Sequence, residues 1–369
     1  MSTLSARQEQ KLYEFAQALV DQRAARVIVE PQQRASGFWF GGGNMVRDAE
    51  GNLFLVGRYR NAGDSRTGVS AGERGLELAI FRSGNKGSTW EKIVRWSKSE
   101  LDVGEREVLS IEGAALAVSE NGVELFVSTE KDNLGYPAGF ESYLKPGTGV
   151  WTIERLVADS VEGLKQSAPE TVVECTDPAF VHIKDPFVHT TSDGDLRLLF
   201  CSHPFCWTSS NTGYAVRQKN SSSFSDPVYE FFRRGTTWDV AMTRGTCVFD
   251  VPQVGMFADT SVSLMFYDGG ECVRNLDEHA AAVNRPRGYS CEELGGVAYF
   301  TDGNLEETVR LSRYEPAFVS PFGTGCSRYV DVLTDDDGMY VTWQQSQSDD
   351  SQPLVMNFVP HEKIDALLS

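Results

Sequence analysis

Apolar and polar residues follow two different rhythms along this chain. From Ser5 to Arg26 the apolar positions Leu12, Phe15, Ala16, Leu19 and Val20 fall three and four apart, which predicts an amphipathic helix. A second, short helix is predicted from His361 to Leu368. Nearly everything between reads as short strands rich in Val, Leu, Phe and Tyr. Five such runs are Asn52–Gly57, Val123–Ser128, Leu196–Cys201, Val262–Tyr267 and Met339–Trp343. Four of them follow an acidic, glycine-containing turn: Asp48–Gly51, Ser119–Gly122, Ser192–Gly194 and Asp335–Gly338. The turn before Val262, near Asp259, is longer and weaker.

Another short apolar strand precedes each run, so each unit reads as a hairpin. The first strands are predicted to begin near Asn44, Glu112, Asp185, Asp239 and Arg328, at spacings of 68, 73, 54 and 89 residues and a mean of 71. A repeat of this size, built from strands, predicts an all-β, five-bladed β-propeller from Gly37 to about Val359. The alternative is a pair of irregular sandwiches, but no Pro- or Ser-rich linker separates two halves. The predicted organisation is therefore an N-terminal helical extension over residues 1–35 and a single propeller domain over 36–369.

Composition narrows the function. Against 52 Asp and Glu stand 34 Lys and Arg, a net charge of −18. Nucleic acid is bound by cations that displace counterions, and anionic membranes by basic segments, so both are excluded as expected partners. Hydrophobic residues make up 41% and aromatics 11%, enough for a packed core. No run approaches the roughly 18 apolar residues of a membrane helix. Met1 to Glu30 carries charges throughout, without the apolar centre of a secretion signal. Seven scattered cysteines form no Cys-x-x-Cys pair, so no zinc knuckle is signalled. Together these features predict a reduced, cytoplasmic protein; the oligomeric state stays open.

Two local patterns carry a resemblance. Ile183-Lys-Asp185-Pro186-Phe187, followed by Ser192-Asp-Gly194 and Leu196–Phe200, resembles a hairpin of the five-bladed propeller glycoside hydrolases of the arabinanase, xylosidase and invertase type. In those enzymes the Asp of Asp-Pro opens an inner strand and points into a central funnel. Ser83-Gly-Asn85-Lys-Gly87-Ser-Thr89-Trp90 resembles the Asp-box of sialidase-type propellers, with Asn in place of Asp. That box is a structural turn between outer strands. One departure stands out: where the hydrolases carry a catalytic Asp on the first inner strand, this chain has Gly42, with Asn44 nearby.

Propeller topology nominates a site, because inner strands start, and second strands end, at one face. The starts supply Glu112, Asp185, Asp239 and Arg328; the ends supply Arg58, Tyr59, Arg60, His203, Asp268 and Glu271. Glycosidic cleavage needs one protonated carboxyl and one carboxylate, and crowding raises the pKa of one member of such a set. Glu112, Asp185, Asp239 and Glu271 are the catalytic candidates. Glu271, among glycines beside Asp268, is favoured as the acid, with Glu292 and Glu293 in reserve. The resemblance implies that Asp185 orients the acid and tunes its pKa, or acts as base if the first-blade Asp is absent. Arg58, Arg60, Tyr59, His203, Asp268 and Arg328 are the candidates for gripping substrate. Arg58 and Arg60 share one face of a strand, where an ion-pair network with Glu73, Glu77 or Glu112 is the structural alternative.

The expected function is a glycoside hydrolase acting on a small or pre-trimmed oligosaccharide. One alternative is a sialidase-like hydrolase in which Arg244, Arg287 and Arg328 cluster on a carboxylated sugar. The other is a non-catalytic, sugar- or protein-binding propeller, favoured if the funnel carboxylates all prove ion-paired. No cofactor is expected; a divalent cation held by His203 and His279 with Asp268, Glu271 and Asp277 stays open.

Overall fold

The computed structural model describes residues 4–61, 75–206, 209–271 and 293–369. The helix α1 (Ala6–Leu19) starts at Ser5, whose hydroxyl caps Gln8 N–H while the Gln8 side chain returns to the Ser5 backbone. Strand β1 (Arg26–Val29) follows. Five antiparallel sheets then form the blades of a propeller. Blade one has an interrupted inner strand, β2 (Trp39–Gly41) and β3 (Met45–Arg47), followed by β4 (Leu53–Arg60), β5 (Glu77–Ser83) and β6 (Glu91–Ser97). Blade two is β7 (Val108–Ser119), β8 (Gly122–Lys131), β9 (Val150–Ala158) and β10 (Glu170–Val173). Blade three is β11 (His182–Thr190), β12 (Leu196–His203), β13 (Asn211–Arg217) and β14 (Val228–Phe232). Blade four is β15 (Met242–Asp250), β16 (Val262–Gly270), β17 (Leu294–Thr301) and β18 (Val309–Arg310). Blade five is β19 (Ser327–Asp335), β20 (Gly338–Gln345) and β21 (Leu354–Pro360), and its outer strand is β1. The five-bladed expectation thus holds, and the first 35 residues contribute a strand to the propeller as well as a helix.

The last strand pairing with β1 closes the ring, and the closing helix α2 (His361–Leu368) packs against α1. Leu12, Phe15 and Leu19 of α1 meet Phe257, Ile364 and Leu368, all fully buried, beneath blades four and five. That apolar stripe explains the helical periodicity of the N-terminal segment. Among the described residues no helix is long and apolar enough to cross a membrane.

Each seam between neighbouring blades carries a polar side chain that captures backbone of the next inner strand. Asn44 binds Leu116 N–H at 2.7 Å and its carbonyl at 2.9 Å. Ser128 Oγ accepts from Asp185 N–H (3.1 Å), and Thr212 Oγ1 from Gly245 N–H (2.9 Å). Asp268 accepts from Tyr329 N–H (3.1 Å), and Asp331 from Met45 N–H (2.8 Å). These donors lie on the edge of each inner strand that faces away from its own sheet, and every inner strand also breaks register along its length. The breaks fall at 42–44, between Ile111 and Ala114, between Lys184 and Phe187, between Gly245 and Cys247, and between Arg328 and Asp331.

The turn resembling an Asp-box joins β5 to β6, two outer strands, as expected. Asn85 Oδ1 accepts from Thr89 N–H at 2.9 Å, and Ser83 Oγ from Gly87 N–H at 2.9 Å. The prediction for blade four was displaced: its inner strand begins at Met242, not near Asp239. Residues 233–241, with the buried Trp238, form a loop, and the Asp239-Val-Ala end of it is the part the sequence pattern assigns to the strand.

Candidate active site

The five register breaks converge on the propeller axis. Gly42, Asn44, Gly113, Asp185, Gly245 and Tyr329 are among the residues that surround a neck of about 20 Å³, room for about one water. The funnel above it is therefore blind.

Arg244, on β15, occupies the centre of the floor. It donates from Nε and Nη2 to Asp268 Oδ2 (3.1 and 2.7 Å), from Nη1 to Asp185 Oδ2 (3.3 Å), and from Nη2 to Glu293. Its guanidinium carbon also lies over the Tyr329 ring, 4.0 Å from the centroid. Three carboxylates and a ring around one buried cation hold the arginine charged, far above any titration of interest. Asp185 is held by more than Arg244. Its Oδ1 accepts from Gly113 N–H (3.1 Å) and from Tyr329 O–H (3.2 Å). A side chain at residue 113 would collide with Asp185, since a Cβ there would lie 2.8 Å from its Cα. The Glu-Gly pair of β7 thus makes room for the Asp-Pro pair of β11.

Arg58, at the end of β4, is the second pillar. It donates from Nε to Glu112 Oε2 at 3.0 Å and from Nη2 to the same oxygen. It also reaches the Gly41 carbonyl (3.1 Å) and Tyr329 Oη (3.2 Å). Lys184 Nζ lies 3.6 Å from Glu112 Oε1. Burial alone would raise the Glu112 pKa; the opposing Arg58 and Lys184 charges more than reverse this, so it sits well below the usual carboxylate range. Glu293 is likewise held low against burial by Arg244 and by Arg328, whose Nη1 lies 2.5 Å from Glu293 Oε2. Asp268 behaves oppositely. Burial, with the Glu293 charge adding to it, pushes its carboxyl up to about 6 despite Arg244.

Trp39 roofs the blade-one side. The guanidinium carbons of Arg58 and Arg328 each lie 4.4 Å from its ring centroid, and that of Arg60 lies 5.3 Å away. Arg58 and Arg60 therefore do share one face, and Glu112 is the ion-pair partner of Arg58. The shared face excludes the residue between them. Tyr59 points into blade one, with its ring 4.7 Å from that of Phe40 and Lys92 Nζ 4.5 Å from its centroid. As a substrate-gripping candidate it is corrected to a core residue.

Asp239 is also not brought to the floor. It is fully buried, accepting from Arg310 Nε of outer strand β18 at 2.9 Å and from Tyr267 Oη at 3.2 Å. The loop that displaced the blade-four strand carries it outward. His203 does reach the site and is neutral. Burial, reinforced by Lys184, lowers its pKa to about 3, and its Nε2 lies 3.1 Å from Cys201 Sγ. Glu271 directly follows β16 at the funnel face. Asp268 is spent on Arg244 and Tyr329, and among the described residues no three metal-ligating side chains cluster. Glu73, Asp277, His279, Arg287 and Glu292 lie outside the described residues.

At blade one, the position that departs from the resemblance has a physical explanation. Gly42 has φ +74°, and a side chain there would collide with the Arg58 guanidinium. Arg58 fills the space a first-blade carboxylate would need. Sequence reasoning missed Trp39 and Tyr329. An aromatic pair ahead of Gly41-Gly42-Gly43 was a readable signal for the first. Nothing local marks Tyr329, whose φ of +54° turns its ring over Arg244.

No protein-family model matches the chain, and no curated protein matches it. Solved structures do. A thermostable family-43 glycoside hydrolase superposes with a TM-score of 0.54 at 12% identity, over 90% of this chain and 92% of that one. A family-43 enzyme from Xanthomonas citri complexed with xylose gives 0.53 at 11% identity, over 97% and 94%. An α-L-arabinanase from Penicillium chrysogenum complexed with arabinobiose gives 0.50 at 9% identity, over 92% and 98%. The fold is that of the five-bladed propeller glycoside hydrolases. At these identities the likeness is one of architecture, and the chemistry rests on the residues of the floor.

Proposed function

We propose that this propeller is a glycoside hydrolase that takes a neutral saccharide unit on its funnel floor. The observation that carries the reading is the pair Glu112 and Glu293. They are the partly exposed carboxylates of the floor, at 17% and 23% side-chain exposure, and arginines hold both ionised. An ionised carboxylate beside a sugar ring can act as base or nucleophile and can accept hydroxyl protons. Asp185, buried between them, positions Arg244 and Tyr329. Glu271 is the proposed acid, carried by its place at the end of β16 beside Asp268. A blind funnel favours the end of a short chain over the middle of a polymer.

Neutrality of the substrate follows from donor accounting. Arg244 and Arg58 direct their donors to Asp185, Asp268, Glu293, Glu112, Tyr329 and the Gly41 carbonyl. Arg328 is spent on Glu293 and Gln352, and turning the Gln344 amide over would give Arg328 its oxygen as a further acceptor. A carboxylated sugar would have to break these pairs, which weighs against the sialidase-like alternative.

One observation favours a second reading, a non-catalytic sugar-binding propeller: Glu112, Asp185, Asp268 and Glu293 each have a cationic partner. The deciding experiment follows product release from 4-nitrophenyl arabinofuranoside and xyloside, and from neutral oligosaccharides of two to four units. Turnover that falls at least about 100-fold in Asp185→Asn supports the hydrolase. Binding without turnover in the wild type establishes the second reading.

A further inference from the structure

Above the floor, between blades two and three, three aromatic rings gather at the funnel face. They come from separate loops: Phe140 and Tyr143 lie between β8 and β9, and Phe205 follows β12. Phe205 lies 4.7 Å from Phe140 and 5.1 Å from Tyr143, ring centroid to centroid. A satellite core made only to seal a loop would bury its rings. Here Tyr143 is 60% exposed, while Phe140 and Phe205 beneath it are half-buried.

The cluster is anchored to the site. Tyr136 packs under Phe205 and its hydroxyl lies 3.0 Å from His182 Nε2. His182 opens β11, opposite His203 and three residues before Asp185. At about 3.3 Å per strand residue that is about 10 Å along the strand. His182 thereby ties the cluster to the strand that runs on to Asp185.

We propose that Tyr143, backed by Phe140 and Phe205, is a stacking platform for the second or third unit of a neutral oligosaccharide. This rests on the funnel reading above, and it adds a distal subsite. A sugar ring offers an apolar C–H face bordered by hydroxyls. An exposed tyrosine matches it with a flat apolar face and one polar edge group. The continuity from platform through Tyr136 and His182 to the strand of Asp185 selects this occupant over an unrelated partner.

The test is calorimetric binding of neutral mono-, di-, tri- and tetrasaccharides of arabinose, xylose, galactose and glucose to the wild type, Tyr143→Ala and Tyr143→Phe. Tyr143→Ala should weaken the tri- and tetrasaccharide of the preferred sugar about five- to tenfold and leave the monosaccharide within about twofold. Tyr143→Phe should stay within about twofold throughout. Tyr143→Ala binding every length as the wild type does, or weakening the monosaccharide equally, overturns the platform alone. A wild type that binds none of the series overturns the funnel reading, and the platform with it.

Discussion

The guanidinium carbon of Arg244 lies 4.0 Å from the centre of the Tyr329 ring, and the backbone N–H of the same tyrosine bonds Asp268, the carboxylate that Arg244 grips. Blade four and blade five are thereby locked through one arginine. Tyr329 Oη extends the lock to Asp185 of blade three, at 3.2 Å, and accepts from Arg58 of blade one, also at 3.2 Å. The floor is a polar keystone in which each member neutralises a buried neighbour, so that removing one leaves others uncompensated.

Removing the keystone should therefore cost stability. Arg244→Met leaves Asp185, Asp268 and Glu293 without their shared cation. Denaturant titration should show a loss of about 3–5 kcal/mol, the scale of a broken buried pair. Arg244→Lys should recover only part of it, since an ammonium cannot match the fork.

Asp185→Asn keeps an oxygen for the Gly113 N–H and the Tyr329 O–H. It also suits the left-handed backbone there, φ +52°. The variant should fold, with the loss of the Arg244 pair lowering stability modestly, while turnover falls at least about 100-fold. A stable variant with full specific activity would make Asp185 a seam residue only.

Asp331 gives a pH dependence of definite sign. Burial pushes its carboxyl up to about 7, against hydrogen bonds from the Met45 and Val332 backbone and from Cys247. The folded state keeps a proton that the unfolded chain releases near the ordinary carboxylate value, so this contribution to stability falls as pH rises from about 4 to about 7. Asp268 adds the same sign up to about 6. Glu112 and Glu293, held low, act oppositely and lose their stabilisation only in acid. Asp331→Asn retains an acceptor for Met45. Melting curves across pH 4 to 7 should flatten by an amount on the order of a few kcal/mol.

Gly42→Ala places a Cβ on the Arg58 guanidinium in a left-handed backbone, φ +74°. Stability should fall by about 1–3 kcal/mol, measured by denaturant titration. Gly104→Ala, also at positive φ but in open space, carries the backbone strain alone and should lose less than Gly42→Ala, the difference being the cost of displacing Arg58.

Much of the architecture was legible because it is local. The hairpin turns, the outer-strand box at Ser83–Trp90 and the shared face of Arg58 and Arg60 each follow from a few consecutive residues. The floor was only partly legible because its partners are remote in sequence. Asp185 could be placed from its Asp-Pro pair, but its neighbours Gly113 and Tyr329 lie 72 and 144 residues away. Asp239 was misplaced because Val240-Ala-Met looks like the start of a strand. It is a loop end folded outward to Arg310. Arg244 enters the sequence reading only in the sialidase-like alternative, as part of a cluster for a carboxylated sugar, and only the fold reveals that three carboxylates already occupy it.

The most direct test of the account is a crystal structure of Asp185→Asn soaked with the neutral oligosaccharide that binds the wild type most tightly. A sugar ring on the floor within hydrogen-bond distance of Glu112 or Glu293, with Arg244 still paired to Asp268 and Glu293 and Arg58 to Glu112, is the predicted result. An empty floor with the saccharide bound elsewhere, or a floor opened by displaced arginines, would contradict it.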